Sequence, residues 1–106
     1  KVDVDECVQA GTLLGDAVTV VNTTSLGMTG KPDLMLPLQR LNHAAVVNDL
    51  VYTPLKTQFL IEAEARGAQV VDGLGMLLHQ AAPGFERWFG TRPDIDDATR
   101  KAVLSA

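Results

Sequence analysis

The fold is decided by residues 71–90, which read Val71-Asp72-Gly73-Leu74-Gly75-Met76-Leu77-Leu78-His79-Gln80-Ala81-Ala82-Pro83-Gly84-Phe85-Glu86-Arg87-Trp88-Phe89-Gly90. A short apolar run ends at Val71, Asp72-Gly73 makes a turn, and apolar residues then recur at helical spacing. This pattern predicts a strand end followed by a helix, and the core-facing stripe of that helix consists of Leu74, Leu77, Leu78, Ala81, Ala82, Phe85, Trp88 and Phe89. Pro83 removes one helical hydrogen bond, so we expect a single helix with a kink near Ala82.

Outside the stripe, the start of this helix is suited to a ligand. Gly73, Met76 and Gln80 fall roughly on one side, so a bare backbone, a thioether and an amide face the strand ends. Two glycines after a strand also suggest a dinucleotide fingerprint, but Leu78 occupies the third glycine position. No further strand with a ribose-binding acid follows at the required distance. The phosphate-loop interpretation is therefore disfavoured.

Composition limits the class of protein. The chain has 106 residues, of which 46% are hydrophobic, so we expect one folded domain with a modest core. A formal net charge of −4 argues against nucleic acid as a main partner. No apolar run approaches the roughly 18 residues of a membrane span, and His43 and His79 lack the spaced partners of a metal site. The single cysteine, Cys7, and the lack of a secretory signal favour a reducing cytoplasm.

Three short strands are predicted upstream, at 18–21, 45–51 and 68–71. The first is rich in β-branched residues, and the mostly apolar second suits a sheet covered on both faces. A helix is predicted between the second and third strands, capped by Thr53 with Pro54 at its first position and ended by a left-handed Gly67. The order strand, helix, strand predicts parallel pairing.

Two further segments have weaker patterns. Residues 34–41 predict a short helix or turn around Pro37. Residues 93–104 place acidic residues first and basic residues last, which matches a helix dipole and predicts a terminal helix.

Polar or glycine-rich segments follow all three predicted strands. In a parallel sheet the carboxyl ends meet at one edge, where ligands bind. We therefore expect residues 22–25, 49–52 and 72–73 to line this edge as a cofactor or substrate cleft, with Gln80 one to two turns into the following helix.

Three segments resemble the shikimate dehydrogenase family. Residues 72–77, Asp-Gly-Leu-Gly-Met-Leu, resemble the family's C-terminal signature together with Gln80, Phe85, Trp88 and Gly90. Residues 21–28, Val-Asn-Thr-Thr-Ser-Leu-Gly-Met, resemble its mid-domain loop, and residues 49–57, Asp-Leu-Val-Tyr-Thr-Pro-Leu-Lys-Thr, its next strand and turn. The segments occur in the family's order and cover most of residues 18–90.

The resemblance implies a Rossmann-like, three-layer α/β fold with a parallel sheet. Residues 1–106 would be the C-terminal part of the nucleotide-binding domain, ending in long helices, with 92–106 as a terminal helix. Family members are longer, so the chain reads as a fragment that lacks the N-terminal substrate domain and its catalytic lysine and aspartate. The implied function of the complete protein is NADPH-dependent reduction of 3-dehydroshikimate to shikimate, in chorismate and aromatic amino acid biosynthesis. This chain alone is expected to be inactive.

The resemblance also implies the roles of individual residues. It assigns no catalytic residue to this chain. The resemblance implies NADP only through the family's usual preference. The residues themselves do not indicate it, because the glycine-rich phosphate turn and the basic segment that selects this cofactor are absent from them. The implied cofactor-binding residues are Thr24, Ser25, Leu50, Gly73 and Met76, and the implied contacts to shikimate or 3-dehydroshikimate are Tyr52 and Gln80.

Other interpretations stay open at the level of sequence. Taken singly, each implied site residue also fits a structural role, as core, turn, cap or ordinary surface residue. Asn48 occupies a position that is commonly apolar or aromatic in the family, and Pro83-Gly84 interrupts the long helix. A quinate dehydrogenase is the near alternative. A non-catalytic interaction or assembly module, such as a homodimer, is the alternative from another class.

Overall fold

A computed structural model describes residues 13–105. Their elements are β1 (Thr19–Asn22), β2 (Val46–Asp49), α1 (Gln58–Ala65), β3 (Gln69–Val71), α2 (Gly73–Phe89) and α3 (Asp97–Leu104). The chain divides after Gly73 into two compact units. Cys7 and Ala106, the last residue of the predicted terminal helix, lie outside the described residues.

The first unit contains a parallel sheet of three strands in the order β1-β2-β3. Asn22 is in register with Asp49, and Asn48 with Val71, so all three strands end at the same edge. The three predicted strands and their parallel pairing are confirmed: β1 is shifted by one residue from the predicted 18–21, and β2 and β3 are shorter than predicted.

The hydrophobic core of this unit lies around β2 and α1. Val47 of β2 is fully buried, and so are Phe59, Leu60 and Ala63, which recur on one face of α1. Helix α1 ends at Ala65 with Arg66 as its C-cap, and the predicted left-handed glycine follows as Gly67, whose φ is +92°. Here the Gly67 and Ala68 amides donate to the carbonyls of Glu64 and Ala63 at 3.0 and 3.2 Å, which is a Schellman motif.

The start of α1 differs from the prediction. The helix begins at Gln58, and Thr57, not Thr53, is its N-cap, with a side chain that accepts a bond from the Leu60 amide. The Thr53-Pro54 peptide is cis and lies in the preceding turn. Both threonines are capable caps, but only the Thr57 hydroxyl also has a buried carboxylate to donate to, that of Asp49 at 2.6 Å.

Residues 34–41 form no helix but an extended segment with a turn at 39–40. Leu34, Leu36 and Leu38 alternate toward the core, while Met35 between them is 83% exposed. Alternation is the pattern of an extended chain, and Pro37 disfavours helical geometry at the residue before it.

The second unit contains α2 from Leu74 onward, together with α3. Helix α2 is one element that runs through Pro83, as predicted. The predicted core stripe is only half correct: Leu74, Leu78 and Ala82 are buried, but Phe85, Trp88 and Phe89 are exposed, Trp88 by 82%. Periodicity determines which residues share a face, not whether another element covers it. Helix α3 buries none of its own described residues.

Helix α3 carries a pH-sensitive N-cap. The Asp96 carboxylate accepts the Thr99 amide at 2.9 Å, and this bond, followed by that from the Thr99 hydroxyl, lowers the pKa of Asp96 below its ordinary value of 3.8. A lowered pKa in the folded state means that the cap stabilises the helix above pH 3.8 and is lost as the pH falls through the folded pKa.

We therefore expect the amide of Thr99 to lose its hydrogen-exchange protection as acid protonates Asp96, before the sheet unfolds. Asp96→Ala should remove that protection at neutral pH, whereas Asp94→Ala, at an exposed carboxylate nearby, should preserve it. Amide exchange followed by NMR between pH 2 and 7 measures both. Unchanged protection in Asp96→Ala would contradict the assignment of the cap.

Candidate functional site

A small pocket opens at the carboxyl ends of β1 and β2. Its volume is about 160 Å³, and its lining is mostly apolar: Thr24, Met28, Leu50, Val51, Tyr52 and Thr53. Three of the sequence-predicted site residues, Thr24, Leu50 and Tyr52, are thus brought together. Tyr52 is 45% exposed, so this residue is accessible to a ligand. A parallel sheet is expected to bind ligands at this edge.

A buried hydrogen-bond network joins the two loops of this pocket. Because Asn22 and Asp49 are in register, the Asn22 Nδ2 donates to Asp49 Oδ1 across 3.0 Å. The same Asp49 oxygen accepts the Val51 amide at 3.0 Å, and Asp49 Oδ2 accepts the Thr57 hydroxyl at 2.6 Å. One carboxylate therefore links the end of β1, the loop after β2 and the N-terminus of α1.

The predicted cleft-lining role is wrong for Asn22 and Asp49. They lie at the expected edge of the sheet, but their side chains are only 4% and 0% exposed. Buried polar groups need partners, and here each group finds them in the other or in the neighbouring loops. The two residues support the pocket from within and do not line it.

Gly73 has a structural reason to be glycine. It is buried, and a Cβ added there would lie 2.6 Å from the Leu50 carbonyl carbon and 2.8 Å from the Val51 carbonyl oxygen, with the Leu50 oxygen nearer still. The backbone after β3 thus passes directly against the loop after β2. This packing of the backbone requires a glycine at position 73, and the cofactor role of Gly73 stays a prediction.

Ser25 is exposed beside Thr24 but is not one of the residues that line the pocket. Its carbonyl accepts the Met28 amide at 3.2 Å, so its backbone closes a turn in the loop after β1. Its cofactor role also stays a prediction.

Met76 and Gln80 belong to the second unit, and both are exposed on α2. Gln80 borders an open apolar groove of about 370 Å³ on this helix, with Ala81, Gly84, Phe85, Trp88 and Phe89. The Phe85 and Phe89 rings lie 4.6 Å apart between centroids. The roles that the resemblance assigns to Met76 and Gln80 stay predictions.

Sequence reasoning missed several residues of the first unit. Met28 and Thr53 line the pocket but were not among the predicted site residues, and Val51, which lies in the predicted edge segment 49–52, was given no role of its own. Thr57 was missed because Thr53-Pro54 gave the stronger helix-start signal. The sequence did contain a signal for Thr57, since the apolar helical spacing of Phe59, Leu60 and Ala63 begins two residues after it.

Two features are absent from residues 13–105: a metal-ligand cluster and a membrane-spanning helix. No group of three His, Cys, Asp or Glu side chains there is placed to hold a metal ion. Helices with the length and apolar character needed to cross a membrane are also absent from this part of the chain.

Comparison with known proteins identifies relatives along the whole chain. Residues 73–104 match the family model described as the shikimate 5'-dehydrogenase C-terminal domain. A protein of Cereibacter sphaeroides named shikimate dehydrogenase (NADP(+)) is 68% identical over 106 residues, which are 100% of this chain and 38% of that protein. The chain thus spans well under half the length of the curated relatives it matches.

Solved structures agree with the fold. Quinate dehydrogenase from Corynebacterium glutamicum, in complex with NAD, matches with a TM-score of 0.84 and 32% identity, over 94% of this chain and 35% of that one. Shikimate 5-dehydrogenase from Thermus thermophilus, in complex with NADP(H) and shikimate, matches with a TM-score of 0.69 and 40% identity, over 76% and 31%. The parallel sheet and closing helices are therefore Rossmann-like, as expected, and the chain is similar to the C-terminal part of proteins named as shikimate dehydrogenases.

Proposed function

We propose that the complete gene product containing this chain is a shikimate dehydrogenase that reduces 3-dehydroshikimate to shikimate with NADPH. The observation that carries the proposal is the 68% identity, across all 106 residues, to a protein named as an NADP(+)-dependent shikimate dehydrogenase. The pocket at the carboxyl ends of β1 and β2 supports it, because three residues with implied ligand contacts converge there.

The pocket fits one ring-sized part of a cofactor or substrate. NADPH supplies the hydride when it is bound. Leu50, Val51 and Met28 offer apolar surface that excludes water from a reacting ring, and the Thr24 hydroxyl offers a polar contact at the same place. Ser25, Gly73 and Met76 complete the cofactor-binding residues that we propose. Catalytic residues are proposed to lie outside this chain.

Shikimate and NADP are preferred over quinate and NAD on the strength of identity. The structure named as a quinate dehydrogenase in complex with NAD is 32% identical to this chain, less than half the identity of the Cereibacter sphaeroides protein. Quinate remains the second candidate substrate, because that structure has the higher TM-score of the two described above. A cytoplasmic location and a homodimer are further proposals, the former supported by the single cysteine of the chain.

We expect Tyr52→Phe and Gln80→Ala, each made in the complete gene product, to raise the KM for shikimate with little change in the KM for NADP. Each variant removes one polar group that we propose contacts the substrate, and a lost hydrogen bond of about 1 kcal/mol corresponds to a change of roughly fivefold to tenfold. The measurement is nicotinamide absorbance with shikimate and quinate, each offered with NADP and with NAD.

Gln69→Ala is the matched control, because Gln69 is exposed on β3 and borders neither the pocket nor the α2 groove. Its KM values should equal those of the wild type. Reduction of cofactor by none of the four pairs would refute the proposed function and favour a non-catalytic module. Faster reduction of the cofactor with quinate than with shikimate would identify quinate as the preferred substrate.

A further inference from the structure

The Asn22 amide is the most fully bonded side chain at the candidate site. Its Nδ2 donates to the Leu26 carbonyl and to Asp49 Oδ1, both at 3.0 Å. Its Oδ1 accepts the Thr24 amide at 3.0 Å and the Thr24 hydroxyl at 2.7 Å. The amide therefore makes four hydrogen bonds and leaves both of its nitrogen protons committed.

These partners determine which way the amide points. A backbone carbonyl and a carboxylate can only accept hydrogen bonds from this side chain, so the nitrogen must face Leu26 and Asp49. The oxygen must then face Thr24, whose backbone amide can only donate. The Thr24 hydroxyl consequently donates its single proton to the Asn22 oxygen.

The remaining capacity of the Thr24 hydroxyl follows by counting. Its oxygen already accepts the Leu26 amide at 3.1 Å. A hydroxyl has one proton and two lone pairs, so one lone pair is left. Thr24 is exposed and lines the pocket, and this lone pair is the one hydrogen-bonding capacity that its side chain has left for a bound molecule.

We propose that Asn22 is a positioning residue that makes Thr24 an obligate hydrogen-bond acceptor in the pocket, so that the ligand group meeting Thr24 is an O–H or N–H donor. This inference rests on the proposed function and deepens it. A hydroxyl of the substrate and a hydroxyl or amide of the cofactor share this donor chemistry, and the experiment distinguishes the two sources.

The test uses the complete gene product and two pairs of variants. Thr24→Val removes the hydroxyl at constant shape, and Thr24→Ser retains it. Asn22→Ala removes the acceptor that orients the hydroxyl, and Asn22→Asp retains an acceptor oxygen but places a second carboxylate beside Asp49. Thr19→Ala, at an exposed threonine at the opposite end of β1, is the control. The readouts are the NADPH dissociation constant from fluorescence, the KM for shikimate and the melting temperature.

We expect Thr24→Val to weaken one ligand about fivefold to tenfold, and Thr24→Ser to restore its binding. An increase in the NADPH dissociation constant identifies a cofactor donor, and an increase in the KM for shikimate identifies a substrate donor. Asn22→Ala should weaken the binding of the same ligand. Added to Thr24→Val, it should weaken binding by less than about twofold further, because the effects of substitutions at coupled residues are not additive. The Asn22→Asp protein should bind that ligand more tightly than the Asn22→Ala protein, although its melting temperature is no higher.

A purely structural role for Asn22 predicts a different pattern. Affinity would then follow the melting temperature, and Asn22→Ala would weaken binding as much in the Thr24→Val protein as in the wild type. Either result overturns the inference, and so do unchanged affinities in Thr24→Val. The proposed function still stands in these cases if the wild type oxidises shikimate. A wild type that binds neither NADPH nor shikimate overturns both.

Discussion

Asp49→Ala is expected to lower the free energy of unfolding by about 3 to 5 kcal/mol, a large share of the stability of a domain this size. The carboxylate is fully buried and accepts three hydrogen bonds, from the Asn22 side chain, the Val51 amide and the Thr57 hydroxyl. Alanine would leave these donors without their acceptor and without water. Urea denaturation followed by circular dichroism measures the loss.

Two further variants test the explanation. Asp49→Asn keeps one acceptor oxygen but turns an N–H toward one of the former donors, so we expect a smaller loss of about 1 to 2 kcal/mol. Asp33→Ala removes an exposed carboxylate in the loop before residue 34 and should change stability by less than about 0.5 kcal/mol. An Asp49→Ala protein as stable as Asp33→Ala would show that the network contributes little.

Gly73→Ala is expected to cost about 2 to 4 kcal/mol of stability, because the new Cβ would collide with the backbone of Leu50 and Val51. Backbone atoms at the end of a paired strand cannot move aside as the tip of a flexible side chain can. The pocket contains Leu50 and Val51, so we also expect weaker cofactor binding in any protein that still folds. Thermal and urea unfolding give the stability.

Gly75→Ala is the matched control, two residues along the same helix. A Cβ at Gly75 meets no heavy atom of the surrounding described residues within 4 Å, and alanine favours a helix over glycine by about 1 kcal/mol. Gly75→Ala should therefore be neutral or stabilising. If Gly73→Ala kept full stability and lost only cofactor affinity, the glycine would be required by the ligand and not by the fold.

Both predictions concern the support of the pocket and not its lining. Asp49 holds the loop after β2 from one side, and Gly73 allows the chain after β3 to pass against the same loop. Tyr52 lies in that loop, so the position of its phenol depends on Asp49 and Gly73, two buried residues that are not part of the pocket lining. Rigid support of this kind is what accurate placement of a reacting ring requires.

Local patterns and short motifs were sufficient for much of this protein. Strand patterns and the left-handed glycine at 67 depend on nearest neighbours, so the parallel sheet and the end of α1 could be predicted. The family motifs identified the relatives, and parallel strands alone predicted which edge would carry the pocket. Thr24, Leu50 and Tyr52 converge there because each follows the end of a strand.

What only the tertiary structure decided involves residues far apart in sequence. Asn22 and Asp49 are 27 residues apart in sequence, and whether they face a ligand or each other depends on the register between their two strands, which no local pattern contains. The choice of Thr57 over Thr53 as the cap depended on the buried carboxylate of Asp49. Exposure of Phe85, Trp88 and Phe89 likewise depends on whether another element covers their face of the helix, whereas periodicity records only that they share it.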